Sequence, residues 1–115
     1  MDARELNKRL QPDPYGPEEM MEVLRKCTDI KIMSSIDLTA SFWQVPLDEQ
    51  SKKYCGFKHA GKTYHHKVLP FGTSVSSAGL TRAAETVLLG SLFVIDFVDD
   101  WLVVSKEFKE HLKHL

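Results

Sequence analysis

Three carboxylates in this chain stand where carboxylates need a reason. Asp99 and Asp100 lie side by side in the apolar run SLFVIDFVDDWLVVS, residues 91–105, which contains no basic residue to pair with them, and Asp37 closes the segment IKIMSSIDL. In a straight strand successive side chains point to opposite faces, so Asp99 and Asp100 could not serve one site. A tight turn at VDD removes that obstacle: residues 92–98 fold back against 101–104 as an antiparallel hairpin, with both acids at or beside its tip. Carboxylates gathered on one sheet edge repel one another and are stable together only if protonated or neutralised. Hard divalent cations neutralise them, and Mg²⁺ in particular prefers a few carboxylates plus water and substrate phosphates. A pair of such ions can activate an attacking hydroxyl and stabilise a leaving pyrophosphate. An aspartate-rich turn with no chemistry is the competing reading; the long apolar flanks and the third acid, Asp37, weigh against it.

The elements that must position these acids are those of a modest globular unit. A chain of 115 residues is one domain or part of one. With 43% hydrophobic and 27% charged residues it has the make-up of a folded rather than a disordered chain. A net charge of −1 provides no global basic field, which leaves nucleic-acid contact to a local patch. Cys27 and Cys55 have neither CxxC spacing nor a partner set, so a disulfide framework and a zinc site are not expected. The polar N-terminus and the lack of any long apolar stretch point to an intracellular chain without a membrane span, or to a piece of one.

Residues 1–16, with Pro12 and Pro14, read as an extended lead-in. From Pro17, PEEMMEVLRKC places acids early and bases late, with Met20, Met21, Leu24 and Cys27 on one stripe of a short helix. IKIMSSIDL reads as a strand, with Ile32, Ser34 and Ile36 on one face and Met33, Ser35 and Asp37 on the other. YCGFKHAGKTYHHKVL reads as a hairpin turning at Gly61. Lys52, Lys53, Lys58, Lys62 and Lys67 with His59, His65 and His66 make this the basic concentration of the chain, either a solvated face or a phosphate-contacting surface. Between Ser76 and Leu89 the residues Leu80, Ala83, Ala84, Val87 and Leu88 recur at helical spacing, with Ser76 and Ser77 as cap candidates and Gly90 as the stop. In SKEFKEHLKHL, Phe108, Leu112 and Leu115 form a further helical stripe behind Ser105 as a possible cap. That stripe stops on an apolar residue without a helix-ending signal, so the chain reads as cut from something longer.

The order of these pieces is more specific than any one of them. SSIDLTASFWQVPLDEQSKKYCGF, then HHKVLPFG, then FVDDWLVVSKEFKEHLKHL resembles the reverse transcriptases of gypsy-type LTR retrotransposons, relatives of the retroviral polymerases, over nearly the whole chain. The resemblance implies an α/β (α+β) fold: a palm-like antiparallel sheet with helices on one face and a partial fingers hairpin. Residues 1–30 would form a fingers-side lead-in and helix, 31–50 and 70–115 the palm, and 51–69 the fingers hairpin. It implies RNA-directed DNA polymerase activity by two-metal nucleotidyl transfer, with Mg²⁺ or Mn²⁺ held by Asp37, Asp99 and Asp100, Asp37 and Asp99 most directly. Phe42 would be an aromatic gate beneath the nucleotide sugar that excludes a 2′-hydroxyl. The backbone of Ala40 and Ser41 would lie near the triphosphate, and Phe71 and Gly72 would line the templating pocket. Implied partners are an RNA or DNA template with its primer, a dNTP, and the remaining fingers, thumb and RNase H parts of a larger polyprotein. The setting would be intracellular, in cytoplasm or nucleus, with virus-like particles as one form of it, and without those parts the chain is expected to be inactive or nearly so.

The chain also departs from that pattern. Val75, Ser76, Ser77, Leu80 and Thr81 replace the usual residues after the PFG glycine, Asp96 stands at a customarily apolar hairpin position, and Phe97 replaces a tyrosine. A degenerate or repurposed palm acting as a binding or structural module is therefore the rival reading. A small Mg²⁺-dependent phosphohydrolase would explain the acids and none of the other motifs.

Overall fold

A computed structural model describes residues 2–16 and 19–115. Pro17 lies outside the described residues, as do the side chains of Met20 and Leu24; of the helical stripe expected there, Met21 is exposed and Cys27, half-buried, falls just past the helix end. In chain order the elements are α1 (Arg4–Asn7), α2 (Met20–Lys26), β1 (Ile32–Asp37), a 3₁₀ turn (Ser41–Gln44), α3 (Glu49–Lys52), β2 (Gly56–His59), β3 (Lys62–His65), α4 (Ser76–Val87), β4 (Val94–Phe97), β5 (Asp100–Ser105) and α5 (Phe108–His114).

Two antiparallel sheets result, one of three strands in the order β1-β5-β4 and one formed by β2 and β3. In the first, Ser34 is opposite Val103 and Ile36 opposite Trp101, while Val94 and Asp96 face Val103 and Trp101 from the other edge. Strand alternation therefore collects Ile32, Ser34, Val103, Ser105, Asp96 and Trp101 on one face. Both α4 and α5 pack on it: α5 through His111, which meets Ser34 and Ser105, and α4 beside Trp101. Asp37 lies on the opposite face from Ile36, as the alternation of IKIMSSIDL requires, and its side is exposed.

A compact chain of this length would have a radius of gyration of about 13 Å. The observed radius is 17.4 Å, with extents of 57 × 24 × 22 Å, and the strands β2 and β3 are exposed along their whole length. The core sits elsewhere, where Phe42, Leu69 and Leu80 cluster with Val45, Leu47 and Val98. Residues 45–47 reach it because the Leu47 N–H donates to the Lys67 carbonyl and the Leu69 N–H to the Val45 carbonyl, each at 2.9 Å.

Three sequence expectations need correction. The N-terminal lead-in is not simply extended: it forms α1 and then docks on α4, where Arg82 grips Asp13 with two bonds of 2.6 and 2.9 Å and stacks over the Tyr15 ring at 4.5 Å. These contacts join residues some 70 positions apart and leave no trace in local pattern. Ser76 and Ser77 do not cap α4, whose N-cap is Val75; the Ser76 hydroxyl instead donates to the Pro70 carbonyl at 2.7 Å. Nor does Ser105 cap α5, since it ends β5 and Glu107 takes the N-cap. The stripe of Phe108, Leu112 and Leu115 faces solvent, and α5 is seated by buried His111, bonded to Ser34 at 2.8 Å and to Ser105 at 3.0 Å. The sheet surface it meets presents serine hydroxyls, so histidine rather than leucine satisfies the contact.

Candidate active site

The site is built where β1 ends and the β4–β5 hairpin turns. Asp37 is the last residue of β1 and lies directly opposite Asp100, the first residue of β5. Side chains of directly opposed residues share a face, and like charges in that relation destabilise a sheet. Asp99 sits in the two-residue loop between β4 and β5, and its carbonyl accepts the Leu38 N–H at 2.9 Å, which fastens the turn to the end of β1. The turn expected at VDD is thus present, with Val98 and Asp99 as the loop and Asp100 already in the strand. Among the described residues none of the three acids takes part in an ion pair. They share one edge but do not close into a group of three around a single point, since no such His, Cys, Asp or Glu cluster occurs among the described residues.

Val98 has φ 62°, a left-handed conformation that is an outlier for a β-branched residue. Its side chain packs against the cluster of Phe42, Leu69 and Leu80. That contact anchors the loop in the core and leaves the neighbouring Asp99 exposed. Residues 37–42 turn sharply because Ala40 is also left-handed, at φ 52° and ψ 40°. The Ser41 N–H donates back to the Leu38 carbonyl at 3.3 Å, so this amide is already engaged.

Phe42 is 9% exposed, and its ring lies 4.8 Å from that of Phe71. Trp43 meets Phe71 edge-on at 5.7 Å, while Phe71 itself is 53% exposed. Gly72 follows with φ 86°, a value that suits glycine. The structure therefore sets Asp37 opposite Asp100 with Asp99 at the adjoining turn, and joins Phe42 to Phe71 in a separate aromatic group.

Asp96 occupies the other face of the hairpin. Both its carboxylate oxygens are buried without a partner, and burial pushes its pKa up. Trp101, opposite in the ladder, turns its indole N–H toward the carboxyl and partly offsets that rise, but no hydrogen bond closes and this N–H too is left unpaired. The negative charge of Glu85 adds to the upward shift.

On the exposed β2 and β3 hairpin, Phe57 stacks on Tyr64 at 5.7 Å and touches His66 at 5.1 Å. His65 lies opposite Gly56, on the other face from His66. Lys52 is paired with Glu49, and Lys53 lies over the Tyr54 ring. Two contributors escaped sequence reasoning: Val98, whose signal was a β-branched residue in a loop too short to hide it, and Asn7, which contacts Gly72 and Ser74 and had no local signal at all.

The family model described as "Reverse transcriptase (RNA-dependent DNA polymerase)" matches residues 1–115, and the chain belongs to that family. It is 32% identical over 111 residues to Polyprotein P3 of Commelina yellow mottle virus, a match covering 96% of this chain and 6% of that protein. To the "Retrovirus-related Pol polyprotein from transposon gypsy" of Drosophila melanogaster it is 28% identical over 118 residues, covering all of this chain and 11% of the relative. Among solved structures, the foamy viral protease-reverse transcriptase in complex with RNA/DNA hybrid superposes with a TM-score of 0.85 at 28% identity, over 97% of this chain and 15% of that one. The chain thus spans a small fraction of the proteins it matches, and its α+β architecture is that of the foamy virus enzyme.

Proposed function

We propose that this chain is the palm, with part of the fingers, of an RNA-directed DNA polymerase. Residues 31–50 and 70–115 form the palm, 51–69 the fingers hairpin and 1–30 the fingers-side lead-in. The observation that carries the reading is the opposition of Asp37 and Asp100 across β1 and β5 with Asp99 at the adjoining turn, three acids with no basic partner among the described residues. A structural hairpin has no use for uncompensated like charge at this position.

The donor set fits a hard divalent cation, being all oxygen and all carboxylate. Its openness fits as well, because Mg²⁺ keeps several waters and takes further oxygens from substrate phosphates. Asp37, Asp99 and Asp100 are the residues that would hold Mg²⁺ or Mn²⁺. When bound, the ions supply positive charge to an attacking primer 3′-hydroxyl and to a leaving pyrophosphate. The chain's own residues do the positioning. Val98 and the Leu38 amide fix the acidic turn, and Phe42, held by the core and by Phe71, presents a rigid ring where a 2′-hydroxyl would have to fit. The backbone of Ala40 and Ser41 borders the triphosphate, and Phe71 and Gly72 line the templating pocket.

The substrates are a dNTP and a template with its primer, a reading supported by the RNA/DNA hybrid of the foamy virus structure. The remaining fingers, the thumb and RNase H belong to a larger polyprotein, as the length of the relatives suggests. Similarity to the gypsy Pol polyprotein supports an origin in a gypsy-type element acting inside the cell. No helix among the described residues is long and apolar enough to cross a membrane.

The test is primer extension by the complete polymerase carrying this domain, on an RNA template with Mg²⁺. Wild type extends the primer, and Asp99→Asn loses about 10²- to 10³-fold in rate, the scale of removing one electrostatic group from a reacting centre. Equal rates in the two would sink the reading. A second reading, a non-catalytic palm, draws on Asp96, whose unpartnered burial is what drift without selection would leave; it predicts no extension by wild type.

A further inference from the structure

We propose that Asn7 is a positioning residue for the nucleotide pocket, holding the turn that presents Phe71 and Gly72. The inference rests on the polymerase reading above. The Asn7 side-chain amide donates from Nδ2 to the Gly72 carbonyl at 2.8 Å, and its Oδ1 accepts the Ser74 N–H at 2.9 Å. One carboxamide thus bonds a carbonyl and an N–H two residues apart, as a neighbouring strand would, and fixes both the position and the tilt of the turn.

The turn needs such a hold. Gly72 is at φ 86°, and Phe71 is half exposed, its ring supported by Phe42 and Trp43 on one side. At the far end the Ser76 hydroxyl bonds the Pro70 carbonyl, so the turn is braced at both ends with Phe71 between them. Behind Gly72, Ala3 is 5% exposed, and its Cβ lies 4.0 Å from where a side chain on Gly72 would begin. The chemistry admits only a carboxamide of this length. Aspartate accepts from Ser74 but cannot donate to the Gly72 carbonyl, and alanine does neither.

With Asn7 removed, Phe71 and Gly72 sample positions in which a templating base is not aligned. The acids at Asp37, Asp99 and Asp100 are untouched, so the defect falls on nucleotide selection rather than on the chemical step. The experiment is steady-state insertion by the complete polymerase, wild type against Asn7→Ala and Asn7→Asp. It is read as KM for the correct dNTP, kcat and the ratio of wrong to correct insertion. Melting temperature and hydrogen exchange of the peptide 70–76 are followed in parallel. The expected result is a KM raised about tenfold, corresponding to loss of the two hydrogen bonds Asn7 makes to the turn. The misinsertion ratio rises, kcat stays within about threefold, melting is unchanged, and exchange at 70–76 is faster. Unchanged KM and misinsertion in both variants overturn the proposal while the polymerase reading stands. A fall in kcat at constant KM, or both variants melting well below wild type, overturns it too. A wild-type enzyme that extends no primer overturns the functional reading and this inference with it.

Discussion

Two hairpins among the described residues share a loop length and serve opposite ends. Each joins its strands through a two-residue loop, Ala60 and Gly61 in one, Val98 and Asp99 in the other. The first loop has positive φ at both residues, 47° and 74°, which suits the right-handed twist of a hairpin and places glycine where glycine is best. Its strands are exposed throughout, with Phe57 and Tyr64 covering one another. In the second loop a valine takes the left-handed position, with its side chain in the core cluster and an acid beside it. The first turn sets glycine at one left-handed position and the small Ala60 at the other, the milder departure from local preference. The second sets a β-branched valine there, held by its packing in the core cluster with Asp99 beside it.

The largest effect that would break this comparison is catalytic. Asp37→Asn in the complete polymerase is expected to slow primer extension by about 10²- to 10³-fold, whereas Gly61→Ala at the other tip leaves the extension rate within about twofold.

Next comes Asp96, on the back of the strained hairpin. Asp96→Val removes a buried unpartnered carboxylate and should raise stability by about 1–3 kcal/mol in denaturant unfolding. The pH dependence gives the sign independently. Burial lifts this carboxyl above its ordinary value of 3.8, so the folded state holds the proton more tightly than the unfolded chain. Stability from this group is intact below 3.8 and falls as pH rises through the lifted value. Asp13 and Asp48 act the other way. The Arg82 guanidinium and the Ser51 hydroxyl hold them below the usual carboxylate value, so their contribution is present above 3.8 and lost as pH falls. The advantage of Asp96→Val over wild type should therefore widen as pH climbs above 3.8; an advantage constant with pH would show that Asp96 is not desolvated.

Smaller still are the backbone effects. At Val98, glycine should be better tolerated than alanine by about 1 kcal/mol, the reverse of the usual strand order, since Val98→Ala keeps the left-handed strain and loses the packing. At Gly61, where nothing lies within 4 Å of an added Cβ, alanine should cost about 1 kcal/mol for conformation alone. Ala60→Gly, which relieves the same left-handed strain at φ 47°, should raise stability by about 1 kcal/mol. Equilibrium unfolding of the four variants would sharpen the comparison, or break it if alanine and glycine are equivalent at Val98.

The exposed hairpin was legible from the Gly61 turn and the β-prone runs around it, though its strands, 56–59 and 62–65, are shorter than the expected run. The acidic turn was legible as a necessity: two adjacent carboxylates in an apolar run demand a break in alternation. Its register was not, and Asp100 proved to be the strand residue facing Asp37. The serine at 105 and the stripe at 108, 112 and 115 misled because a helical stripe says that one face is apolar, not which face the sheet will accept. A sheet lined by Ser34 and Ser105 accepted His111. Asn7 and the docking of Asp13 on Arg82 were invisible, since bonds spanning 65 to 70 residues leave no periodic signature.

The most direct test of the central claim, that the three acids form a cation site, is the melting temperature of the polymerase with and without Mg²⁺, in wild type and in Asp37→Asn. A ligand that binds the folded state raises its stability, by about 2.7 kcal/mol at a hundredfold excess over Kd. The account predicts a rise in wild type that shrinks in Asp37→Asn, together with a higher metal-free melting temperature in the variant as the repulsion between Asp37 and Asp100 is relieved. Equal metal shifts in the two proteins would contradict it.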